Sequence, residues 1–313
     1  MQAGSFPVLF LDSPMFKHEG RNRKKSYSSA VPAMRVPWLK DEAFLSDVHA
    51  VRGGPGTLNL WWLGQSGFLV EHDGCFLLMD AYLSDSLTRK YAGTDLPHVR
   101  VSERVVDPAR LGFVSVVTCS HSHTDHMDPD TLRPLLAANP RLDVVVPEAA
   151  RAIAAERLGV EAGRPTGMND GDVRTMGRFL IHALPSAHDV PQTDDAGNHR
   201  WLGYVVEAGP WRLYHSGDTR MYPGLGARLA GFHLDLGLLP INGWAPQRRV
   251  AGNLDAAEAV ALARQSGMKL VVPHHFDMFE FNTADPRVFE EEARRQGVPA
   301  RVLRLGERLS LGG

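Results

Sequence analysis

A short polar run near the middle of the chain holds residue types that bind metals. Ser120-His121-Ser122-His123-Thr124-Asp125-His126 places three imidazoles and one carboxylate within six positions. Borderline divalent metals such as zinc and manganese accept both kinds of ligand. The apolar, β-branched segment 111–119 before the run predicts a buried strand, so the cluster lies where a strand ends. The alternative is a polar surface loop that happens to be rich in histidine, and the ligand chemistry favours the metal site.

Three further residues of the same kinds occur in the same context later in the chain. His188, Asp218 and His275 each follow a short apolar, strand-like run and are flanked by Pro or Gly. Any one of these histidines alone would more often be a structural residue. Because a strand, a turn residue and a ligand type occur together four times, we expect several strand ends to converge on one point.

These residues carry a resemblance to a known family. His121-x-His123-x-Asp125-His126, followed by His188, Asp218 and His275, resembles the signature of the metallo-β-lactamase-fold superfamily over about residues 57–311. More narrowly, residues 61–67, 214–218 and 273–279 are similar to the UlaG-like group, named for L-ascorbate-6-phosphate lactonase. The resemblance implies an α/β fold, the four-layer αββα sandwich, and a homo-oligomer. We expect one domain at residues 56–313, preceded by an extension at residues 1–55 that packs on this domain or on a neighbouring subunit.

The resemblance also implies a dinuclear metal centre. Its ligands would be His121, His123 and His188 for one metal, Asp125, His126 and His275 for the second, and Asp218 as a bridge. The implied cofactors are two divalent ions, zinc or manganese, and iron also suits such ligands. On an extended segment His121 and His123 would point the same way, which supports a shared metal. A metal-bound hydroxide would attack the substrate, and Asp125 is the expected catalytic residue that relays a proton.

Two residues are expected to support ligands without binding metal. Asp80 ends an apolar run and resembles an early aspartate of the superfamily that supports a ligand histidine; the alternative is a turn aspartate. His215 precedes Asp218 by three positions and is the second candidate. His274 competes with His275, and the resemblance selects His275 because neighbours on a strand point in opposite directions.

Candidates for binding the substrate come mainly from the loop after the strand-like residues 235–239. Asn242 could donate to a developing oxyanion, and Arg248 or Arg249 could hold a phosphate or carboxylate. The alternative for each is an exposed polar loop position. Weaker candidates for lining the pocket are Gln65, Tyr214 and Trp244.

Composition is that of an ordinary globular protein. The chain has 313 residues, 43% of them hydrophobic, and a formal net charge of −2, so no nucleic-acid partner is expected. Its two cysteines give no disulfide framework. No apolar run of about 18 residues predicts a membrane span, and no signal-peptide pattern begins the chain. We therefore expect a cytoplasmic protein with a small-molecule substrate. A basic cluster at residues 21–25 is interpreted as a solvated arm rather than an anion-binding patch.

Periodicity and turn residues predict the elements that position these groups. Strands are expected near residues 57–63, 67–72, 75–80, 142–146, 178–184, 202–208, 211–215, 235–239, 269–273 and 301–304. Helices are expected near residues 129–139, 148–158, 255–266 and 286–296. Asp128 before Pro129 suits a helix start, and Asp73-Gly74 between apolar runs suits a hairpin turn.

Four functions are compatible with such a centre. The first is a hydrolase of lactones or carboxylic esters, for which a phosphorylated sugar lactone would be a fitting substrate. The second is a phosphodiesterase, which sequence hardly separates from the first because the same metals serve both. A di-iron redox protein is less favoured, since no dinucleotide fingerprint or second domain is evident. A non-catalytic scaffold is less favoured because the ligand set is intact.

Overall fold

The computed structural model describes residues 34–51 and 53–312, which belong to one compact unit spanning Ala33–Gly313. The strands are β1 (Leu58–Gly64), β2 (Gly67–His72), β3 (Cys75–Met79), β4 (Val116–Thr118), β5 (Asp143–Pro147), β6 (Thr166–Met168), β7 (Val173–Met176), β8 (Phe179–Pro185), β9 (Leu202–Ala208), β10 (Trp211–His215), β11 (Leu236–Pro240), β12 (Leu270–His274) and β13 (Arg308–Leu311). The helices are α1 (Asp41–Ala50), α2 (Ser86–Lys90), α3 (Pro129–Ala138), α4 (Arg151–Leu158), α5 (Leu225–Ala230), α6 (Ala256–Ser266) and α7 (Pro286–Gln296).

Two mixed sheets organise these elements. The first has the order β13-β1-β2-β3-β4-β5-β6, and the second has the order β12-β11-β10-β9-β8-β7. Strands β3 to β6 pair in parallel, as do β10 to β12, and the remaining pairs are antiparallel. None of the helices in the described ranges is long and apolar enough to cross a membrane.

The first sheet is buried on both faces, as strand β1 illustrates. Leu60 and Trp62 belong to the core shared with the second sheet, whereas Trp61 and Leu63 pack with α1, α3 and α4. Side chains alternate between the faces of a strand, so an uninterrupted apolar run is what a doubly covered sheet requires. Helices α5, α6 and α7 pack on the second sheet. Two sheets with helices outside them confirm the predicted α/β sandwich.

Helix ends follow local rules that are visible in the sequence. Asp128 accepts a hydrogen bond from the amide of Asp130 at the start of α3. Asp255 and Glu258 form a reciprocal capping box at the start of α6, and Gly267 ends that helix in the left-handed region. These caps explain why the predicted boundaries of α3 and α6 agree with the structure to within a residue, whereas α4 begins three residues later than predicted because residues 148–150 form a separate short helical turn.

Some predicted elements are wrong. Residues 301–304 are not a strand, because Glu307 accepts from the amide of Arg304 and closes a turn, and the true last strand is β13. Within residues 111–119 only β4 is extended, since the amide of Val114 turns back to the carbonyl of Leu111. Elements β6, β7, α1, α2 and α5 were not predicted. Residues 1–33 of the expected extension lie outside the described residues, and they include the basic cluster at residues 21–25. The domain boundary at residue 55 therefore stays a prediction.

Strand direction explains how distant residues meet. Strands β8 and β10 each pair antiparallel with β9 and therefore run the same way, and β12 runs parallel with them through β11. Their carboxyl ends lie at one edge of the second sheet. In the first sheet β3 and β4 are parallel neighbours, so the loops after both strands also start at a common edge.

Candidate metal centre

The histidine-rich loop after β4 is a tight turn. The amides of His126 and Met127 both donate to the carbonyl of His123, at 3.1 and 2.8 Å. Residues 120–123 bend just before this turn, so the prediction that His121 and His123 lie on an extended segment is wrong. The turn brings their rings together instead, with centroids 4.4 Å apart.

A first group of ligand-type atoms comes from three strand ends. It consists of His121, His123, His188 and Asp218, whose candidate ligand atoms all lie within 4.8 Å of one another. The turn that carries Asp218 approaches the histidine loop very closely. At Gly217, whose φ is +58°, an added Cβ would lie 2.4 Å from the Cβ of Ser120, so only glycine fits there.

A second group lies beside the first and consists of Asp125, His126 and His275. The two oxygens of Asp218 face this group. Oδ1 lies 3.3 Å from His126 Nε2, and Oδ2 lies 3.4 Å from His275 Nε2. Asp218 thus lies between the two groups, in the position that the resemblance implies for a bridging residue.

Hydrogen bonds on the far side of three rings fix which nitrogen faces the centre. His188 Nδ1 lies 2.9 Å from the carbonyl oxygen of Gly252, which only accepts, so Nδ1 carries the proton. His126 Nδ1 lies 2.6 Å from Asp80 Oδ2, with the same consequence. Ser120 Oγ donates to Asp80 and therefore accepts from His121 Nδ1 at 3.0 Å. In each ring the Nε2 lone pair is left for another partner.

The atoms left over are buried and have no hydrogen-bond partner among the described residues. They are Nε2 of His121, His126 and His188, together with Oδ1 of Asp218. Leaving a buried polar atom unpaired costs about 1–3 kcal/mol, so native structures avoid it unless a ligand takes the position. Convergent imidazole lone pairs and carboxylate oxygens fit a divalent metal in both groups.

The electrostatics of the cluster are those of a site prepared for cations. Burial opposes charge on His126, but Asp218, Asp125 and Asp80 together raise the pKa of this imidazole well above its ordinary value, so a cation bound at Nε2 would take the place of a proton there. Burial alone would raise the pKa of Asp218, yet His275 and His126 hold it well below its usual range. Burial lowers the pKa of His121 well below its usual value. Asp218 is therefore ionised and His121 neutral, the forms that bind metal.

Asp80 follows β3 in the left-handed region, with φ of 41°, and is fully buried. Besides His126 it accepts from the amide of Ser120 at 2.7 Å and from the hydroxyl of the same residue. Its carboxylate therefore holds one ring of the second group and the start of the histidine loop together.

Gln65, which the sequence offered as a weaker candidate for lining the pocket, makes contacts at the centre itself. Its Nε2 lies 2.9 Å from Asp125 Oδ2 and 3.0 Å from His275 Nε2. The carbonyl of Gln65 accepts from the amide of His275 at 2.9 Å. Gln65 has φ of 49° and lies in the tight turn between β1 and β2. The sequence predicted this turn and a pocket-lining role for Gln65, but not its contacts with Asp125 and His275.

His215 and His274 pack together rather than against the ligand-type residues. Their rings are parallel, with centroids 5.2 Å apart. His215 donates to the carbonyl of Ser66 and accepts from the amide of Gly217, so it contacts the turn that carries Asp218 but none of the seven side chains. His274 lies outside both groups and His275 within one, which agrees with the choice made between them.

A cleft of about 410 Å³ opens on the cluster, and His123, Asp125, His188, Asp218 and His275 form one side of it. In the described structure only Arg249 of the six substrate and pocket candidates lines this cleft, and its guanidinium pairs with Asp95 at 2.8 Å.

Four of the other candidates lie outside the lining of this cleft and contact other parts of the protein. The amide of Asn242 is occupied, donating to Asn282 and accepting from Asn253. Arg248 donates to the backbone carbonyls of residues 242 and 283. Tyr214 is wholly buried in the core between the sheets, and Trp244 lies beside the guanidinium of Arg220.

Comparisons with known proteins identify the family of this chain and the proteins that share its fold. A family model described as the β-lactamase superfamily domain matches residues 77–276. A UPF0173 metal-dependent hydrolase of Opitutus terrae is 31% identical over 261 residues, covering 81% of this chain and 100% of the relative. The structure of Igni18, a metallo hydrolase of Ignicoccus hospitalis, matches with a TM-score of 0.60 and 21% identity, covering 82% of this chain and 99% of the other. CmlA, a di-iron β-hydroxylase of Streptomyces venezuelae, shares the fold with a TM-score of 0.59 and 16% identity, covering 82% of this chain and 54% of the other.

Proposed function

This chain belongs to the β-lactamase superfamily as one of its metal-dependent hydrolases, and from that premise we propose that it cleaves a lactone or carboxylic ester with two divalent cations. His121, His123 and His188 would hold one cation, and Asp125, His126 and His275 the other, with Asp218 between them. Zinc or manganese suits these ligands best, and iron is compatible with them. Bound cations would polarise the substrate carbonyl and activate a water as the nucleophile.

One observation carries the proposal. Three imidazoles have their protons fixed on Nδ1 by hydrogen bonds that point away from the cluster, and their Nε2 atoms are buried without a partner among the described residues. The nitrogens of His274 are also buried without a partner in the described structure, but that ring belongs to neither group, whereas the Nε2 atoms of His121, His126 and His188 converge with carboxylates. This arrangement instead presents lone pairs toward carboxylates, as metal ligands do.

Asp125 has the position and charge for proton transfer in the cleft. Burial raises its pKa, but His126 and other neighbouring imidazoles lower it below the ordinary value overall, so the carboxylate is ionised and can accept a proton. Gln65 donates to its Oδ2 and thereby fixes the orientation of the carboxylate. Asp125 also lines the cleft, where a leaving alcohol could receive the proton.

The choice between carbonyl and phosphorus chemistry depends on other features. The similarity of residues 61–67, 214–218 and 273–279 to the UlaG-like group supports a lactone. The cations Lys90, Arg157 and Arg249 line the same cleft and favour an anionic substrate, which keeps a phosphodiester as the second candidate.

Elemental analysis of protein purified without added metal, paired with hydrolysis assays, tests the proposal. The substrates are a lactone panel and bis-p-nitrophenyl phosphate. The variant Asp218→Ala removes the residue between the two groups. Asp189→Asn is the matched control, because Asp189 is exposed near His188 and belongs to neither group.

We expect about two zinc or manganese ions per chain, turnover of lactones, and loss of both in Asp218→Ala but not in Asp189→Asn. Preferred cleavage of the phosphodiester would replace the first candidate by the second. Two irons without hydrolysis would indicate redox chemistry instead. A protein that holds no metal would show that the ligand assignment is wrong.

A further inference from the structure

The lining of the cleft also includes a cluster of aromatic rings. Tyr91, His98, Phe279 and Phe281 form this cluster, and we call these four residues the aromatic wall. Tyr91 and His98 stack with ring centroids 4.0 Å apart and planes inclined by 15°. His98 also packs on Phe281 at 4.5 Å. Burial lowers the pKa of His98, so this ring is a neutral member of the wall.

The wall is held rigid by two segments that pair with each other. The amide of Glu280 donates to the carbonyl of Val99 at 2.9 Å, and Arg100 forms an isolated β-bridge with Phe279. The hydroxyl of Thr88 donates to the carbonyl of His98 at 2.8 Å. A ligand that packs on the wall therefore does not have to order it, which preserves binding free energy.

Two cations in the same cleft lack an acidic partner. Lys90 and Arg157 form no ion pair with a carboxylate anywhere in residues 34–51 and 53–312. Arg157 donates to the carbonyls of Ser122 and Met127, at 2.6 and 3.1 Å, and so supports the histidine loop. Lys90 is exposed, with its Nζ 5.2 Å from the centroid of the Tyr91 ring. It is therefore a free charge at the edge of the aromatic wall.

We propose that the substrate carries a planar aromatic group, which packs on the aromatic wall, and an anionic group, which pairs with Lys90. This inference rests on the proposed hydrolase function and names its substrate class. Aromatic rings prefer the faces and edges of other rings, whereas a saturated ring of the same size gains only apolar contact. A carboxylate on the ring could form an ion pair with Lys90, because no carboxylate among the described residues pairs with this lysine.

Matched methyl esters separate these contributions. Methyl 3-phenylpropanoate and methyl 3-cyclohexylpropanoate have the same leaving group and similar size, and differ in aromaticity. Methyl 3-(4-carboxyphenyl)propanoate adds the anion. The variants are Phe281→Leu, which keeps apolar volume, and Lys90→Met, which removes the charge. The controls are Phe113→Leu, an aromatic residue that packs on Phe76 elsewhere, and Lys269→Met, whose lysine pairs with Asp235.

In the metal-loaded enzyme we expect kcat/KM for the phenyl ester to exceed that for the cyclohexyl ester by roughly two- to tenfold. Phe281→Leu should reduce this ratio toward one, and Phe113→Leu should leave it as in the wild type. The carboxyl group should raise kcat/KM further in wild type and Lys269→Met but not in Lys90→Met. Equal rates for both rings, or a carboxyl effect that survives Lys90→Met, would overturn the inference.

Binding of the product acids gives a readout that does not depend on turnover. Calorimetry with 3-(4-carboxyphenyl)propanoate and its cyclohexyl analogue should show tighter binding of the aromatic acid, and a smaller difference in Phe281→Leu. If no ester is hydrolysed but the aromatic acid binds selectively, the ester chemistry fails and the recognition stands. If the enzyme hydrolyses esters but the two acids bind equally, the recognition fails alone.

Discussion

Replacing Asp80 with asparagine should weaken binding of the second metal ion while leaving the protein folded. The carboxylate of Asp80 accepts three hydrogen bonds, from the amide and hydroxyl of Ser120 and from His126 Nδ1. An amide has one oxygen and can replace only part of this set. In Asp80→Asn the new NH₂ group faces donors. His126 can resolve this conflict by moving its proton from Nδ1 to Nε2, the atom that faces Asp125 and Asp218.

The size of the effect follows from what His126 must do to bind a cation. To free Nε2, the ring has to keep a proton on Nδ1 that no longer has a buried acceptor, which costs about 1–3 kcal/mol. Loss of such supporting groups lowers metal affinity by about 10–100-fold. We therefore expect the second equivalent to bind about 10–100-fold more weakly, with the first nearly unchanged. Asp80→Ala is a poorer choice, because it leaves three buried donors unpaired.

The measurement is a competition titration of metal-free protein with zinc against a chromophoric chelator, which separates the two equivalents. Urea unfolding in excess chelator reports the stability of the metal-free fold. Asp107→Asn is the matched control, since Asp107 caps the short helical turn at Pro108–Arg110 and belongs to neither ligand group. Its two equivalents should bind as in the wild type.

Two results would refute the reasoning. Wild-type affinity for both equivalents in Asp80→Asn would mean that Asp80 does not determine which nitrogen of His126 is free. Equal weakening of both equivalents, with a large loss of stability, would mean that Asp80 acts through the fold rather than through His126.

Three further predictions use the same protein. Gln65→Ala removes the contacts to Asp125 and His275 and should selectively weaken binding of the second zinc equivalent in the same titration. Gln65→Met restores the volume of the side chain but not these contacts. Wild-type affinity in both variants would contradict a positioning role for Gln65. If the free metal concentration exceeds Kd by about 100-fold, removing the cations with a chelator should lower Tm by roughly 5–10 °C. Scanning fluorimetry should show that Tm returns to its original value when metal is added back. The third prediction concerns pH. Burial lowers the pKa of His215 below the ordinary 6.5. Burial and the neighbouring His215 lower the pKa of His274 well below the same value. The unfolded chain therefore binds protons that the folded protein does not. Stability contributed by these rings is present above pH 6.5 and is lost as the pH falls toward their folded values, by up to about 1.4 kcal/mol per pH unit for each ring. Urea unfolding in chelator at about pH 7.5 and about pH 5.5 should show this slope, and His274→Met should reduce it; an undiminished slope would exclude His274 as a source.

The sequence was most informative where structure is local. The capping residues Asp128 and Asp255 predicted the starts of two helices, because a cap depends on backbone groups two or three positions away. The ligand-type residues were recognisable because each directly follows a strand. Their roles at the two groups remain a prediction, although the structure places all seven within them.

The sequence misled where a residue depends on partners far along the chain. Val302 and Leu303 resemble a strand because they are apolar, but they pack on the core without pairing, and β13 takes the edge beside β1. Asn242 was an attractive oxyanion donor, yet Asn253 and Asn282 occupy its amide. The aromatic wall combines two segments that no local pattern connects, so neither segment suggested a binding surface.

The cost of the unpaired atoms connects the stability of this fold to its function. At the two ligand groups, three imidazole nitrogens and one carboxylate oxygen are buried without a hydrogen-bond partner among the described residues, and each such atom costs about 1–3 kcal/mol. Atoms of this kind oppose folding, and only about 5–15 kcal/mol keeps a typical protein folded. The hydrogen bonds to Asp80, Ser120 and Gly252 maintain this unfavourable arrangement, because they prevent the rings from turning toward other partners. A cation removes the cost only if it contacts these atoms together. Affinity for metal and stability of the loaded fold should therefore rise and fall together across variants of these supporting residues.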